Sequence, residues 1–584
     1  MALTLDRPTA PGRGAPRRAR LRRWSREPRY ILLALAALAV AYLALVPVGT
    51  MVVASLRSAF LSNTPSHWTF ANYASTFTSD GFGSLVVNSF GYALGTAVVS
   101  TVIGFGLAWL VTRTNTPAKG FARVAALVPL IIPGILNTVA WALLFSPRTG
   151  PLNGMLRAIH LPAFNIYSLA GMIFIQSIHV TPVAFLMGSA AFSSMDSSLE
   201  EAAQASGATP RRVFRTITLR MARPAILSGF LLMFIQSIST FEVPQLIGVP
   251  GHKFVFVSKI YDALQAFPAD YGTVGVIGVF VLAIAVVGLW LSQRLARSSS
   301  AQTVTGKGFR PTRTDLGAWR WLGVALFALF FLIAVVIPLL MLIYSSLLPG
   351  YEPPSITALH HMNFVNYGQV FSTPALVQSV RNSIITAVSA GVVVTLLTAV
   401  VAYITVKTKI RGRGLLDTLA TIPIAVPSIV MGVGILYWYL AAPLPFHLYG
   451  TLIILIIAFV TIGLPYGMRY LAPGIAQISD ELEEAATSSG ATWAESFRKI
   501  YLPLLMPSLL AAFLYTMIVA FREISAAIFL YSQSTQVVSI SIYDLWSNGS
   551  YPVVAALGVL MVAFLTIIVV AVRLLSRRFG IQRD

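Results

Sequence analysis

Residues 198–227 read SLEEAAQASGATPRRVFRTITLRMARPAIL, and residues 481–510 read ELEEAATSSGATWAESFRKIYLPLLMPSLL, a match at almost every position. Two further pairs of segments match in the same chain order. NSFGYALGTAVVSTVIGFGLAWLVTRTNTPAKG begins at Asn88 and NSIITAVSAGVVVTLLTAVVAYITVKTKIRGRG at Asn382, while LVPLIIPGILNTVAWALLF begins at Leu127 and LATIPIAVPSIVMGVGILYWYL at Leu419. The chain is therefore predicted to contain two copies of one structural unit.

The composition indicates that both copies lie in a membrane. Of the 584 residues, 56% are hydrophobic and only 10% are charged, with a mean hydropathy of +0.77, whereas a soluble domain carries about a quarter charged residues. Cys is absent, which excludes disulfides, thiolate metal sites and cysteine nucleophiles. Apolar runs long enough to cross roughly 30 Å of hydrocarbon predict six spans in each copy. They lie at 31–55, 85–112, 124–145, 167–192, 225–248 and 273–293, and then at 322–345, 382–406, 415–440, 449–471, 508–531 and 553–573.

The chain has a formal charge of +21, and its Lys and Arg residues are concentrated in the tail and in the loops between the predicted spans. If the N-terminus is cytoplasmic, most Lys and Arg residues fall on the cytoplasmic side, including the Arg-rich tail from Arg7 to Arg29. This bias is typical of bacterial inner-membrane proteins. We therefore expect a multi-pass inner-membrane protein with both termini in the cytoplasm and no nucleic-acid partner. Six spans per copy give both copies the same orientation, as parallel repeats.

The segments quoted first lie on the cytoplasmic side, between the fourth and fifth predicted spans of each copy. In the first segment, Ser197 and Glu200 have the spacing of a capping box. Gly207 is placed to end that helix in a left-handed turn, and Pro210 has the favoured first position of a second helix. Apolar residues follow at helical spacing, and they are Leu199, Ala202, Ala203, Val213, Phe214 and Ile217.

The second segment satisfies the same rules with different residues. Asp480 and Glu483 replace the first capping pair, Gly490 replaces the glycine, and Thr492 with Glu495 caps the second helix. Two short helices with an apolar stripe facing the cytoplasm predict a docking surface for a partner protein. The alternative is an amphipathic segment lying on the membrane surface, which leaves the repeated glycine spacing unexplained.

Both segments resemble the EAA loop of the permease subunits of binding-protein-dependent ABC importers. The family pattern is E-A-A, three residues, G, nine residues and I-x-L-P, and the first copy departs from it at Arg220, where the family usually has proline. The resemblance implies the type I ABC importer permease fold, an all-α integral membrane protein with twelve transmembrane helices in two parallel six-helix repeats. The matching residues are Glu201, Ala202, Ala203, Gly207, Ile217 and Leu219, and then Glu484, Ala485, Ala486, Gly490, Ile500, Leu502 and Pro503.

The resemblance also implies the partners. In that family the loop sits in a cleft of the ATPase subunit, so two loops imply two copies of an ABC ATPase, beside an extracytoplasmic solute-binding protein and membrane lipid. No G-x-x-x-x-G-K-[ST] phosphate loop occurs in the sequence. ATP and Mg are therefore expected to bind partner subunits, and this chain is expected to have no catalytic residue, cofactor or metal site. The implied division is a basic cytoplasmic tail at 1–29, a first permease domain at 30–297, a cytoplasmic linker at 298–318 and a second permease domain at 319–584.

Ionisable residues inside predicted spans indicate function because they are costly there. Glu242 occurs late in the fifth predicted span of the first copy, and Arg522 and Glu523 occur late in that of the second. The alternative to a pathway role is a polar pair, Glu242 with Arg522, that closes the interface between the copies. The candidate lining of a translocation pathway is Gln236, Thr240, Glu242, Gln245, Arg522 and Glu523.

The fused layout, with FEVPQLIG followed by VSKIYDALQAFPADYG, resembles the ferric-iron permease group. This implies uptake of ferric iron, while the related permeases for thiamine, 2-aminoethylphosphonate and polyamines leave those solutes open. A secondary transporter of the major-facilitator type also has two parallel six-span halves. That alternative does not explain the two matching cytoplasmic loops.

Overall fold

The computed structural model describes residues 28–58, 60–61, 65–196, 198–300, 314–442, 445 and 447–578. Most of the predicted tail and linker lies outside those residues. Within this described part of the chain, ten helices are long and apolar enough to cross a membrane, and two bent helix pairs raise the number of spans to as many as 12. Spans 1 to 6 of the first half are Leu33–Ser55, Phe82–Arg113, Lys119–Leu130 with Gly134–Leu144, Leu169–Ser194, Pro210–Ile238 and Tyr271–Ala296. Those of the second half are Gly317–Ser346, Pro374–Lys407, Arg413–Ala425 with Ser428–Ala441, Leu452–Ala476, Arg498–Arg522 and Tyr551–Ala571.

Shorter helices connect the spans. Those of the first half are Ala71–Thr78, Pro151–Ala158, Ser198–Ala205 and Phe256–Gln265. Those of the second half are Ile356–His360, Val365–Ser372, Asp480–Ser488, Ala527–Leu530 and Val538–Ser547. The all-helical fold predicted from the sequence is confirmed.

Span 3 of each half is broken, whereas one continuous helix was predicted at 124–145 and at 415–440. The two pieces meet at 94° in the first half and at 108° in the second. Pro133 and Pro427 stand immediately before the second pieces, with ψ of 140° and 135°. Proline lacks an N–H and clashes with the preceding turn, so it ends the first piece and the next residue starts another helix.

Span 5 begins and ends earlier than predicted. The sequence predicted 225–248 in the first half, whereas the helix runs over Pro210–Ile238. The predicted second short helix of the loop is not separate, because it continues into span 5 through a π-helical segment at Phe214–Thr218. The second half behaves alike, with 508–531 predicted and Arg498–Arg522 observed. In the first half no proline or glycine lies between Arg211 and Arg223, where the loop joins the span. In the second half the helix continues through Pro503, which follows the π-helical segment Phe497–Tyr501.

The first span of each half packs against the broken span of the other half. In span 1 of the first half, Thr50 donates a hydrogen bond to the Gly434 carbonyl of the second half at 2.8 Å. A Cβ on Gly434 would lie 2.2 Å from the Pro47 carbonyl oxygen, so the two backbones are in direct contact. The reciprocal contact joins Ile337–Ser346 to Gly134–Leu144. The two halves are therefore interlocked.

Equivalent residues make equivalent contacts in the two halves. Ser89 and Ser383 each accept a hydrogen bond from the first N–H of the short helix between spans 5 and 6, at 2.9 and 2.7 Å. Asn88 and Asn382 donate to backbone carbonyls of the segments that lead into those short helices. The repeat thus extends from sequence to individual hydrogen bonds.

Candidate functional site

The first loop, residues 198–218, has the predicted geometry around its glycine. Helix Ser198–Ala205 ends before Gly207, whose φ of +86° confirms the left-handed turn, and the next helix begins at Pro210. Ser197, predicted to cap the first helix, lies outside the described residues. Among the predicted docking residues, Glu201, Ala202, Gly207 and Leu219 are exposed, and Ala203 and Ile217 are half-buried.

The second loop, residues 480–501, repeats this geometry, with Gly490 at a φ of +80° after helix Asp480–Ser488. The predicted capping box is confirmed: the Glu495 N–H donates to the Thr492 hydroxyl at 3.3 Å, and the Thr492 N–H donates to the Glu495 carboxylate at 3.0 Å. Hydrogen bonds from Thr492 hold the pKa of Glu495 below its ordinary value. The side chain of Glu483 lies outside the described part of the chain. Among the predicted docking residues, Glu484, Ala485, Gly490, Leu502 and Pro503 are exposed, and Ala486 and Ile500 are half-buried.

The two loops carry opposite net charge. Residues 198–220 contain four Arg and two Glu, whereas the equivalent residues 481–503 contain four Glu, one Arg and one Lys. The exposed basic side chains in the first loop and directly after it are Arg211, Arg212, Arg215 and Arg220. The exposed acidic side chains at the start of the second loop are Asp480, Glu481 and Glu484.

A buried arginine lies behind the first loop. Arg113 is the last residue of span 2 and only 1% exposed. Its guanidinium donates a hydrogen bond to the Met195 carbonyl at 3.1 Å and lies 3.8 Å from the Glu200 carboxylate. Glu200 also accepts a hydrogen bond from the Thr218 hydroxyl at 2.5 Å. These contacts join the ends of spans 2 and 4, the loop helix and the start of span 5.

Lys407 has the same place in the second half. It is the last residue of span 2, donates to the Ile478 carbonyl at 2.5 Å and forms an ion pair with Asp480. Sequence reasoning assigned Arg113 and Lys407 only to the cytoplasmic charge bias. The signal that distinguishes them is a basic residue at the equivalent end of the same apolar run in both copies.

Several predicted pathway residues meet where the two halves face each other. Arg522, at the end of span 5 of the second half, donates a hydrogen bond to the Leu130 carbonyl in the break of span 3 of the first half. Carbonyls at a helix end lack intrahelical partners, which leaves this one available. A Cβ on Gly134, just after the same break, would lie 3.4 Å from the Glu242 carboxylate and 3.3 Å from the His179 ring. His179 is a neighbour that sequence reasoning left aside.

Two further predicted residues hydrogen-bond close to this interface. Thr240 accepts a hydrogen bond from Gln176 of span 4 at 2.8 Å. Gln245 donates to the Tyr543 hydroxyl of the opposite half at 3.2 Å. Sequence reasoning missed Gln176 and Tyr543 because neither is charged and their partners are distant in the chain.

The remaining predicted pathway residues differ in their surroundings. Glu523 accepts a hydrogen bond from the Ala526 N–H at 3.1 Å, whereas the Gln236 side chain is exposed. Arg522 lies within electrostatic range of Glu242, although its hydrogen bond goes to a backbone carbonyl of the other half. The arrangement is compatible with a pathway lining and with a pair that closes the interface.

A cavity of about 730 Å³ opens on the face opposite the two loops, with residues of both halves in its wall. Gln265 comes from the first half, and Tyr449, Tyr531 and Asp544 come from the second. Asp544 accepts a hydrogen bond from Gln536, while burial raises the pKa of its carboxyl above the ordinary value. Sequence reasoning missed this cavity because segments far apart in the chain form its wall.

Comparison with known proteins agrees with this architecture. A family model described as "Binding-protein-dependent transport system inner membrane component" matches residues 100–300 and 391–581. The ferric transport system permease protein FbpB of Actinobacillus pleuropneumoniae is 27% identical over 482 residues, covering 81% of this chain and 68% of that protein. The putative ferric transport system permease protein FbpB 1 of Haemophilus influenzae is 28% identical over 457 residues, covering 76% and 69%.

Two other proteins are similar to parts of this chain. The probable ABC transporter permease protein y4fN of Sinorhizobium fredii is 25% identical over 506 residues, covering 84% of this chain and 86% of that protein. A solved bacterial ABC transporter involved in the import of alginate is 21% identical, covering 44% of this chain and 88% of that one, with a TM-score of 0.36. The family matches fall one in each half and cover more than half of the residues. The chain therefore belongs to the binding-protein-dependent transport system inner membrane components, as a fused two-domain permease subunit of an ABC importer.

Proposed function

We propose that this chain forms the membrane pathway of a ferric-iron importer that is driven by two ATPase subunits docked on its two loops. The observation that carries the proposal is the loop geometry, which occurs twice. In each loop a short helix ends at a left-handed glycine, Gly207 or Gly490, and a second helix then continues into span 5. Different residues satisfy the same geometry, which indicates that the shape is the functional property.

The loop surfaces suit a cleft of an ATPase. Small exposed side chains at Ala202 and Ala485 let a partner approach each loop helix closely. Since the second loop helix is continuous with span 5, a displacement of the loop moves that span. On this proposal ATP and Mg bind only the partners, this chain holds no cofactor or metal of its own, and both of its termini are cytoplasmic.

Ferric iron is the proposed cargo because two relatives are named ferric transport permeases. Ferric iron is a hard ion that prefers oxygen ligands. Tyr449, Tyr531 and Asp544 supply phenol and carboxylate oxygens to the wall of the cavity opposite the loops. The proposed lining of the deeper pathway consists of Gln236, Thr240, Glu242, Gln245, Arg522 and Glu523.

The test is reconstitution of the chain in liposomes with its ATPase and its binding protein, with radioactive ferric iron as cargo. We expect iron to accumulate only when ATP and both partners are present. A binding protein that carries an organic solute instead, with ATP-driven uptake of that solute, would overturn the iron assignment and retain the importer. Uptake along an ion gradient without any ATPase would overturn the whole proposal.

A further inference from the structure

The basic residue that ends span 2 touches the same place in both halves. Arg113 and Lys407 each donate a hydrogen bond to a backbone carbonyl between span 4 and the loop helix, that of Met195 and that of Ile478. The two carbonyls occupy equivalent positions in the aligned segments. One contact has therefore been built twice, once with a guanidinium and once with an ammonium group.

Each basic residue also reaches a carboxylate of the loop helix. In the first half this is Glu200, which is 7% exposed and is also held by the hydroxyl of Thr218. In the second half it is Asp480, the first residue of the loop helix. The ligands differ, but in both halves a charge on span 2 is paired with a charge on the loop helix.

The loop helices that these contacts orient are short. They contain only 8 and 9 residues, and isolated helices shorter than about 12 residues are marginal in water. Charge-assisted hydrogen bonds are short and directional, so they fix the direction of a helix more closely than apolar packing does. Through Glu200, the contacts of Arg113 further connect spans 2 and 4 to Thr218, at the end of the π-helical segment of span 5.

We propose that Arg113 and Lys407 are positioning residues that make each loop and the adjacent ends of spans 2 and 4 move as one unit. Through them the movement of a docked ATPase reaches several spans at once, and a loaded binding protein on the opposite face can in turn stimulate hydrolysis. This inference rests on the proposed docking of ATPases to the loops.

The test uses the complete transporter, with ATPase and binding protein, in lipid nanodiscs. Arg113→Met, Lys407→Met and the double variant are compared with the unmodified chain for bound ATPase and for ATP hydrolysis with and without binding protein. We expect the ATPase to stay bound and basal hydrolysis to continue. Stimulation by the binding protein should fall about tenfold in the double variant, within the range typical of coupling between sites.

Two controls separate positioning from stability. Lys407→Arg keeps the charge and should retain stimulation. Arg123→Met removes an exposed basic side chain near the start of span 3, on the same side of the membrane as the loops, and should behave like the unmodified chain. Arg113→Met leaves Glu200 buried without its partner, and the complex can then fail to assemble. In that case Lys407→Met tests the proposal, because the Asp480 side chain is 77% exposed and tolerates the loss of its lysine partner.

The outcomes are distinct. Suppose that the binding protein stimulates hydrolysis by the unmodified transporter and stimulates the Met variants equally, per assembled complex. That result overturns the positioning role and leaves the docking proposal standing. Variants that only lower the amount of complex also overturn it, because they show a structural role. An unmodified chain that binds no ATPase overturns the docking proposal and this inference with it.

Discussion

Arg522 and Glu242 belong to different halves, and both lie at the break of span 3 in the first half. An ionised carboxylate enclosed by protein is costly unless partners compensate its charge. The arginine shares its interactions between this carboxylate and the Leu130 carbonyl. On the proposed function, this carboxylate is a candidate contact for a passing cation.

Glu242→Gln tests this role at the scale of one residue. The substitution keeps the volume and removes the charge, so we expect iron uptake to fall roughly tenfold, or about 1.4 kcal/mol, while the amount of assembled complex stays constant. Uptake and complex yield are measured on the same membranes. Glu352→Gln is the matched control, because its side chain is exposed near His361. Unchanged uptake would leave Glu242 with a structural role.

Gly490→Ala tests the turn of the second loop. The φ of +80° disfavours any residue with a Cβ, although nothing lies within 4 Å of a Cβ built there. We expect alanine to cost about 1–2 kcal/mol and to weaken ATPase binding, measured by titration, several-fold or more. Asparagine tolerates this conformation better, so Gly490→Asn should bind more tightly than Gly490→Ala. Gly414→Ala, in a helix with open space, serves as the control. Equal binding by all three variants would show that the turn does not matter.

At the scale of elements, the two halves exchange their first spans: span 1 of each half packs against the broken span 3 of the other half. The break and this exchange depend on each other. The second piece of span 3 is short, with 11 residues in the first half and 14 in the second, and span 1 of the other half packs along it. Gly434 permits this approach because its backbone touches Pro47. Small residues allow the closest approach of membrane helices.

Gly434→Ala tests the exchange. Its Cβ would lie 2.2 Å from the Pro47 carbonyl oxygen, and overpacking of this kind costs about 1–3 kcal/mol. We expect a lower midpoint of thermal unfolding for the purified protein in detergent. Gly106→Ala has open space around its Cβ and should not lower the midpoint. A midpoint for Gly434→Ala equal to that of the unmodified protein would contradict the interlocked packing.

At the scale of the whole molecule, the exchanged spans hold the halves together independently of the peptide that links them. We predict that a protease site introduced within residues 301–313 can be cut without separating the halves in mild detergent. Size-exclusion chromatography should show the cut protein at the elution volume of the uncut protein. Denaturing detergent, as the control, should separate the two fragments. Separation in mild detergent would mean that the covalent connection is required.

Sequence alone predicted the repeat, the membrane class and the turns at Gly207 and Gly490, because these depend on composition and local backbone rules. The prolines of span 3 are visible in the sequence, but the bend is not predictable from them, since proline ends a helix without setting the angle of the next one. The exchange of first spans was not predictable because it depends on contacts between the copies.

One repeated motif was readable but missed. FANYASTF at 70–77 matches FVNYGQVF at 364–371. Asn72 and Asn366 each donate to two backbone carbonyls where span 1 ends, at distances between 2.6 and 3.0 Å. The shared Asn-Tyr pair was the available signal. By contrast, the neighbours of Glu242 and the wall of the cavity come from distant segments, and only folding brings them together.

The opposite net charge of the two loops has a practical consequence. If two identical ATPase copies dock as proposed, they present the same surface to a basic loop and to an acidic one, so long-range electrostatics would favour one attachment and oppose the other. Added salt screens both effects. It would weaken the attachment that attraction favours and strengthen the attachment that repulsion opposes. A salt titration should therefore move the affinities of the two attachments in opposite directions, and at low salt a transporter carrying a single ATPase becomes accessible without any mutation.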